Sequence, residues 1–332
     1  MKKNLYLHLG MHKTASTSLQ VALYKNQDKL REIGYLYPVA GRPENARFGH
    51  HLVAWSFVAN SEWIPEVKGV RESVDKNLIL KELLDEIDKS GCDNIILSSE
   101  EFDILSDSEF ESVFQFFSEF NIIPVLYIRN TIDFIESSYK TSVLYSGYAK
   151  SIDEFFANQR SRLDTFQFVS KLFYLSNKQL ILKDYEAVKE SNDLITDFLC
   201  SLSIDKNHLE YSDNTKENKR PPSDIIEIVR FFNVKGVDYQ VVGKMIEKLM
   251  QLSTGQKVHL FSKEEVELRD KKFLSDSEKL ARFYESQERT FVLSKKFMER
   301  NGDRYLEGNL VKSILFVINS FDELITEIKE GK

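Results

Sequence analysis

Hydrophobic positions in the first two-thirds of the chain switch repeatedly between two periods. Short apolar runs at Asn4–Leu9, Ile95–Leu97, Pro124–Ile128 and Gln179–Lys183 predict four strands. Each is followed by a helical pattern. Leu19, Leu23 and Leu30 follow the first run and are closed by Gly34. Leu80, Leu83, Leu84 and Ile87 share one helix face ahead of the second run and stop at Gly91. Ser106 and Glu109 read as a capping box ahead of Phe110, Val113, Phe114 and Phe117. A helix is expected from about Ile132, and another carries Leu194, Ile195, Phe198, Leu199 and Leu202. From Pro221 the pattern predicts helices only, beginning with Ile225, Ile228, Val229 and Phe232.

Strands separated by amphipathic helices need crossover connections, so the pattern predicts an α/β fold with a parallel sheet flanked by helices. A mostly helical C-terminal region follows. We read residues 1–332 as a single domain, with an α/β core over 1–220 and a helical subdomain over 221–332. Its composition fits one large core: the chain has 332 residues, of which 42% are hydrophobic.

A net charge of −7 supplies no basic face, which argues against a nucleic-acid partner. No apolar run is long enough to span a bilayer, and the segment MKKNLYLHLG is broken by His8 and makes a poor signal peptide. Cys92 and Cys200 lack metal-ligand spacing and read as reduced core thiols of a cytoplasmic protein.

Ligands of parallel sheets gather at the carboxyl ends of the strands, and the polar residues concentrate there. Gly10-Met11-His12-Lys13-Thr14-Ala15-Ser16-Thr17-Ser18 joins the first strand to its helix. A turn of this kind gathers backbone N–H groups and a helix N-terminus around one point, and Lys13 adds a positive charge. Its spacing is not that of a Walker A loop, because the lysine precedes the small residues. Arg129 follows the third strand, and Ser137 lies eight positions further on. A guanidinium at a strand end and a hydroxyl two turns into the next helix suit one phosphate gripped from two sides.

With these two segments in order, the chain resembles the PAPS-dependent sulfotransferases, where PAPS is 3'-phosphoadenosine 5'-phosphosulfate. His12-Lys13-Thr14-Ala15-Ser16-Thr17 resembles the family's 5'-phosphosulfate loop, with Ala15 where relatives often have Gly. Arg129-Asn130-x-x-Asp133-x-x-x-Ser137 resembles its 3'-phosphate motif. Leu182-Lys183-Asp184-Tyr185-Glu186 and Asp213-Asn214-Thr215 are weaker echoes, and the likeness spans roughly residues 4–235. It implies a P-loop-NTPase-like sulfotransferase fold and PAPS as donor, with no metal. The donor would be held by Lys13, Thr14, Ala15, Ser16, Thr17, Ser18, Arg129 and Ser137, with Lys219 and Arg220 of a basic loop as further candidates.

The resemblance also implies in-line attack of an acceptor hydroxyl or amine on sulfur. Lys13 would stabilise charge on the bridging oxygen, assisted by His12. A general base is needed beside the acceptor. Glu101, in Ser98-Ser99-Glu100-Glu101-Phe102, is the first candidate and His51 the second, with Glu100 and His50 as their neighbours. The acceptor is expected to be a small molecule or a glycan precursor. Its wall is expected from segments 37–65 and 139–162, and Tyr35, Tyr37, Phe48, Trp55, Tyr145 and Tyr148 offer rings. Three competing readings stay open: a P-loop kinase, a non-catalytic nucleotide-binding scaffold, and a helical interaction protein with an incidental loop.

Overall fold

The computed structural model describes residues 2–10, 14, 16–59, 75–158, 164–191, 193–210, 223–238, 242–243, 246, 258–289, 291 and 304–305. In chain order the elements are β1 (Asn4–Leu9), α1 (Ser16–Lys25), α2 (Gln27–Glu32), β2 (Tyr35–Leu36), α3 (His51–Trp55), α4 (Lys76–Ser90), β3 (Asn94–Ser99), α5 (Asp107–Phe116) and β4 (Asn121–Ile128). They continue with α6 (Thr131–Tyr145), α7 (Ile152–Asn158), α8 (Thr165–Leu175), β5 (Ile181–Asp184), α9 (Tyr185–Ser191), α10 (Leu194–Ser201), α11 (Ser223–Val234), β6 (Val258–His259), α12 (Lys263–Glu285) and β7 (Arg304–Tyr305). The chain forms two compact units. One comprises residues 1–129, 164–216 and 276–294, and the other comprises 130–163, 217–275 and 295–332.

The first unit is built on a five-stranded, all-parallel sheet in the order β2-β3-β1-β4-β5. The central strand shows why its sequence suits that place. Leu5, Leu7 and Leu9 point to one face, where Ile95, Leu97, Leu126 and Ile128 join them under the apolar sides of α4, α5 and α8. The alternate residues face the other layer, where Ile96, Val125 and Tyr127 pack under Leu19 and Leu23 of α1 and Phe198 and Leu199 of α10. With helices on both faces, each strand is buried on both sides, and the near-continuous apolar runs follow from that.

The sequence expectations differ from the structure in particular places. The edge strand β2 has only two residues and no periodicity to betray it. The expected single helix through Leu19, Leu23 and Leu30 is two helices broken at Asn26. There the side-chain Nδ2 donates to the Ala22 carbonyl (2.8 Å) and Oδ1 accepts from the Glu210 amide (2.8 Å). The expectation of helices only beyond Pro221 is corrected by β6 and β7, which pair in parallel as a separate two-stranded sheet. Cys92 is buried as expected, but Cys200 is exposed on the outer side of α10 and is no core thiol. Among the described residues no helix is long and apolar enough to cross a membrane.

Gly41 lies in a turn packed against α3, where its carbonyl accepts from the Leu52 amide (3.1 Å). Its φ of +84° belongs to the left-handed region, and a Cβ there would lie 2.3 Å from Cγ2 of the fully buried Val53. Gly41→Ala is expected to destabilise the protein by roughly 2–4 kcal/mol, combining backbone strain with overpacking. An unchanged urea midpoint would refute this.

The second unit has its own core, formed by Ile132, Ile135 and Tyr139 of α6 with Ile226 and Val229 of α11 and with Leu260, Phe261 and Val266. Asn130 caps α6, its Oδ1 accepting from the amides of Ile132 (2.9 Å) and Asp133 (3.2 Å).

Candidate functional site

The strand order makes β1 a topological switch point. The chain leaves β1 toward β2 on one side and later crosses from β3 to β4 on the other. Ligands of open parallel sheets bind where connections part in this way, beyond the carboxyl ends of the strands. Gly10, directly after β1, and Ser16 at the head of α1 stand at that position. Gly10 donates to the Ser99 carbonyl (3.3 Å) at the end of β3. A Cβ on Gly10 would come within 3.0 Å of Ser16 Cβ and 3.4 Å of Glu100 Cα, so the absence of a side chain lets the turn pass between α1 and the end of β3.

Thr14 and Ser16 are buried, Ser18 is half-buried and Thr17 is exposed. Because α1 begins at Ser16, its first amides have no carbonyl partner within the helix and carry the positive end of its dipole. His12, Lys13 and Ala15 of the same loop, and Lys219 and Arg220 of the basic loop, lie outside the described residues.

The end of β3 holds the candidate bases. Beyond Ser99 the chain turns into a 3₁₀ segment, Glu100–Ile104, so the two carboxylates part through that turn rather than through strand alternation. Glu100 Oε2 accepts from Gln20 Nε2 of α1 (2.8 Å), whereas Glu101 Oε2 accepts from Trp55 Nε1 of α3 (2.9 Å). Glu101 is 7% exposed. Ser99 Oγ accepts from the Glu101 amide (3.1 Å) and shares a 2.8 Å hydrogen bond with His51 Nδ1. The His51 ring lies 5.8 Å from that of Trp55. Glu101, His51, Ser99 and Trp55 thus form one connected group, and the two leading base candidates belong to it.

Gly49 shows how closely this group is packed. A Cβ there would meet His51 Cε1 at 2.8 Å and Gln20 Cδ at 2.9 Å, which joins the Gln20–Glu100 pair to the His51 group.

His50 and His8 have structural roles. His50 accepts from the Ser98 amide at Nδ1 (3.1 Å), which leaves Nε2 as the protonated nitrogen facing the Pro38 carbonyl (2.9 Å). Burial, with Arg42 adding to it, pushes its pKa down to about 3. With both ring nitrogens engaged, His50 is a bracket between the Pro38 turn and β3. His8 lies in the sheet with Nδ1 2.7 Å from Ser98 Oγ and has its ring edge-on to Phe198, and burial lowers its pKa to about 4.

Arg129 follows β4, the strand beside β1. Its Nε donates to Glu186 Oε1 (3.0 Å), with both side chains largely buried, and its Cζ stands 5.3 Å from the Tyr185 ring centroid. The Asp184 carboxylate accepts from the Glu186 amide (3.0 Å) and fixes that turn. The Tyr185-Glu186 pair after β5 therefore orients the guanidinium. Ser137 is buried in α6 of the second unit. Tyr145 is exposed at the end of α6, and Tyr148 stacks edge-on to Tyr139 (6.0 Å) in that unit's core.

Sequence reasoning missed Gln20, Ser99 and the orienting role of Tyr185-Glu186. Gln20 sits one helical turn after Ser16 on the buried side of α1, and that spacing was the one signal available for it. Among the described residues no group of three or more His, Cys, Asp or Glu side chains is placed to hold a metal ion. Comparison with models of known families, with curated proteins and with solved structures gives no match to this chain.

Proposed function

We propose that the protein is a sulfotransferase of the P-loop-NTPase-like fold. It moves the sulfuryl group from PAPS to a hydroxyl or amine acceptor, leaving adenosine 3',5'-bisphosphate. One observation carries this reading: the two family-like motifs follow neighbouring parallel strands, the loop after β1 and Arg129 after β4, at the switch point of the sheet. In this reading the amides heading α1, with Thr14, Ser16 and Lys13, receive the 5' end of the donor. Arg129, oriented by Glu186 and Tyr185, receives the 3'-phosphate. Ser137 enters by its place in the sequence motif alone.

On the acceptor side, Glu101 takes the proton released when the acceptor oxygen attacks sulfur. Trp55 Nε1 and the Ser99–Glu101 turn hold its carboxylate in one orientation. His51 is the alternative base, one serine hydroxyl away.

The test is a titration of adenosine 3',5'-bisphosphate and of AMP into wild type and Arg129→Ala by calorimetry. Wild type is expected to favour the bisphosphate by at least about tenfold, and Arg129→Ala to lose that preference, since charge-assisted pairs with a phosphate contribute about 1.5–3 kcal/mol. A wild type that does not distinguish the two ligands removes the basis of the donor assignment. A preference that survives in Arg129→Ala moves the 3'-phosphate contact elsewhere.

A further inference from the structure

A second cationic centre lies beside the base group. Arg42 and Arg47 both stand over the ring of Tyr24, each Cζ 5.5 Å from its centroid, so the two cations are at most twice that distance apart. Arg47 also covers Phe48 (5.7 Å), and Tyr24 and Phe48 meet edge to face at 5.1 Å. Arg42 is tied from behind: Nη2 donates to the Tyr37 carbonyl (2.6 Å), Nη1 to Gln27 Oε1 (3.1 Å), and its Cζ lies 4.5 Å from the Tyr37 centroid.

The charges of this pair are poorly answered. Among the described residues no carboxylate lies within salt-bridge distance of either guanidinium. Glu86 is the carboxylate that acts on Arg42 through space, and it is itself engaged by the amides of Val39 and Ala40. Arg42 Nε is buried and meets no hydrogen-bond acceptor. The exposed Arg47 donates to no described residue, although its Cζ stands over two rings. Two like charges beside one ring, with the buried Arg42 Nε–H left without an acceptor, make a place that an anion stabilises. The flanking rings suit the apolar face of a sugar.

The position links this centre to the proposed chemistry. Tyr24 lies one helical turn beyond Gln20 on α1, and Phe48 immediately precedes Gly49, which touches Gln20 and His51. We propose that Arg42, Arg47, Tyr24 and Phe48 form an acceptor subsite for a saccharide that carries a carboxylate or sulfate group. The binding part stands on this geometry alone; its role as an acceptor subsite rests on the sulfotransferase reading.

Glucuronate, glucose 6-sulfate, inorganic sulfate and glucose are titrated by calorimetry into the full chain and into Arg47→Ala. Adenosine 3',5'-bisphosphate serves as a separate ligand to show that the variant is folded. The two anionic sugars are expected to bind wild type at least about tenfold more tightly than glucose. Arg47→Ala is expected to lose that advantage with its bisphosphate affinity unchanged. Arg47→Lys is expected to recover only part of it, because an ammonium lacks the planar fork. Anionic sugars that bind no better than glucose, or an Arg47→Ala that binds them like wild type, overturn the proposal. Inorganic sulfate binding as tightly as glucose 6-sulfate overturns the saccharide assignment. Failure of bisphosphate binding in wild type, with the sugar results as expected, overturns the donor reading and leaves the anion site standing.

Discussion

On the proposed sulfotransferase reading, replacing Lys13 with Ala is expected to lower the rate of sulfuryl transfer by ~10²–10³ while leaving donor affinity within about tenfold. In the sequence the lysine stands between Gly10, which is pinned to the end of β3, and Thr14, which is buried. As the S–O bond to the donor phosphate breaks, negative charge grows on the oxygen that had bridged the two. A cation there is worth more in the transition state than in the ground state, so its loss falls on turnover rather than on binding. In the proposed reading the helix amides and Arg129 remain to hold the nucleotide. The measurement pairs turnover of radiolabelled PAPS over a panel of anionic and neutral saccharides with calorimetry of adenosine 3',5'-bisphosphate. Unchanged turnover in Lys13→Ala would remove the lysine from the reaction. A loss confined to donor affinity would make it a binding residue only.

The parts of this molecule legible in the sequence are those set by long-period burial. Four of the five parallel strands announce themselves because both of their faces are covered, which leaves near-continuous apolar runs such as Ile95–Leu97. Tyr35–Leu36 escapes because two residues at an edge carry no period, and Val258–His259 and Arg304–Tyr305 escape for the same reason. At the site, the rule that ligands gather at strand ends singled out Glu100, Glu101 and Arg129 without any knowledge of their partners. Those partners were illegible because each comes from a distant part of the chain. Gln20 reaches Glu100 across 80 positions, Trp55 reaches Glu101 across 46, and Glu186 reaches Arg129 across 57. The pair His50-His51 shows the limit most clearly. The two imidazoles are identical as sequence, yet a one-residue step onto α3 sends the first between Pro38 and Ser98 and the second to Ser99 beside Glu101.

In the second unit the largest loss of stability is expected from Glu136→Leu. Glu136 is 4% exposed within α6, and its two carboxylate oxygens do separate work. Oε1 accepts from the Leu260 amide (2.7 Å) and Oε2 is bonded to Nδ1 of the fully buried His259 (3.0 Å). His259 in turn stacks on Tyr305, with ring centroids 5.3 Å apart, where β6 pairs with β7. The two-residue strands have little pairing of their own, and the carboxylate ties α6 to this small sheet. A leucine of similar volume keeps the packing but leaves one buried amide and one buried imidazole nitrogen without that acceptor. Each such group costs about 1–3 kcal/mol, so the variant is expected to lose roughly 3–5 kcal/mol in urea denaturation. Glu136→Gln separates charge from hydrogen bonding. Its amide oxygen can still accept from Leu260, so a loss of less than about half that of Glu136→Leu is expected. Equal losses in the two variants would show that the negative charge on Glu136, rather than its capacity to accept, holds β6 in place.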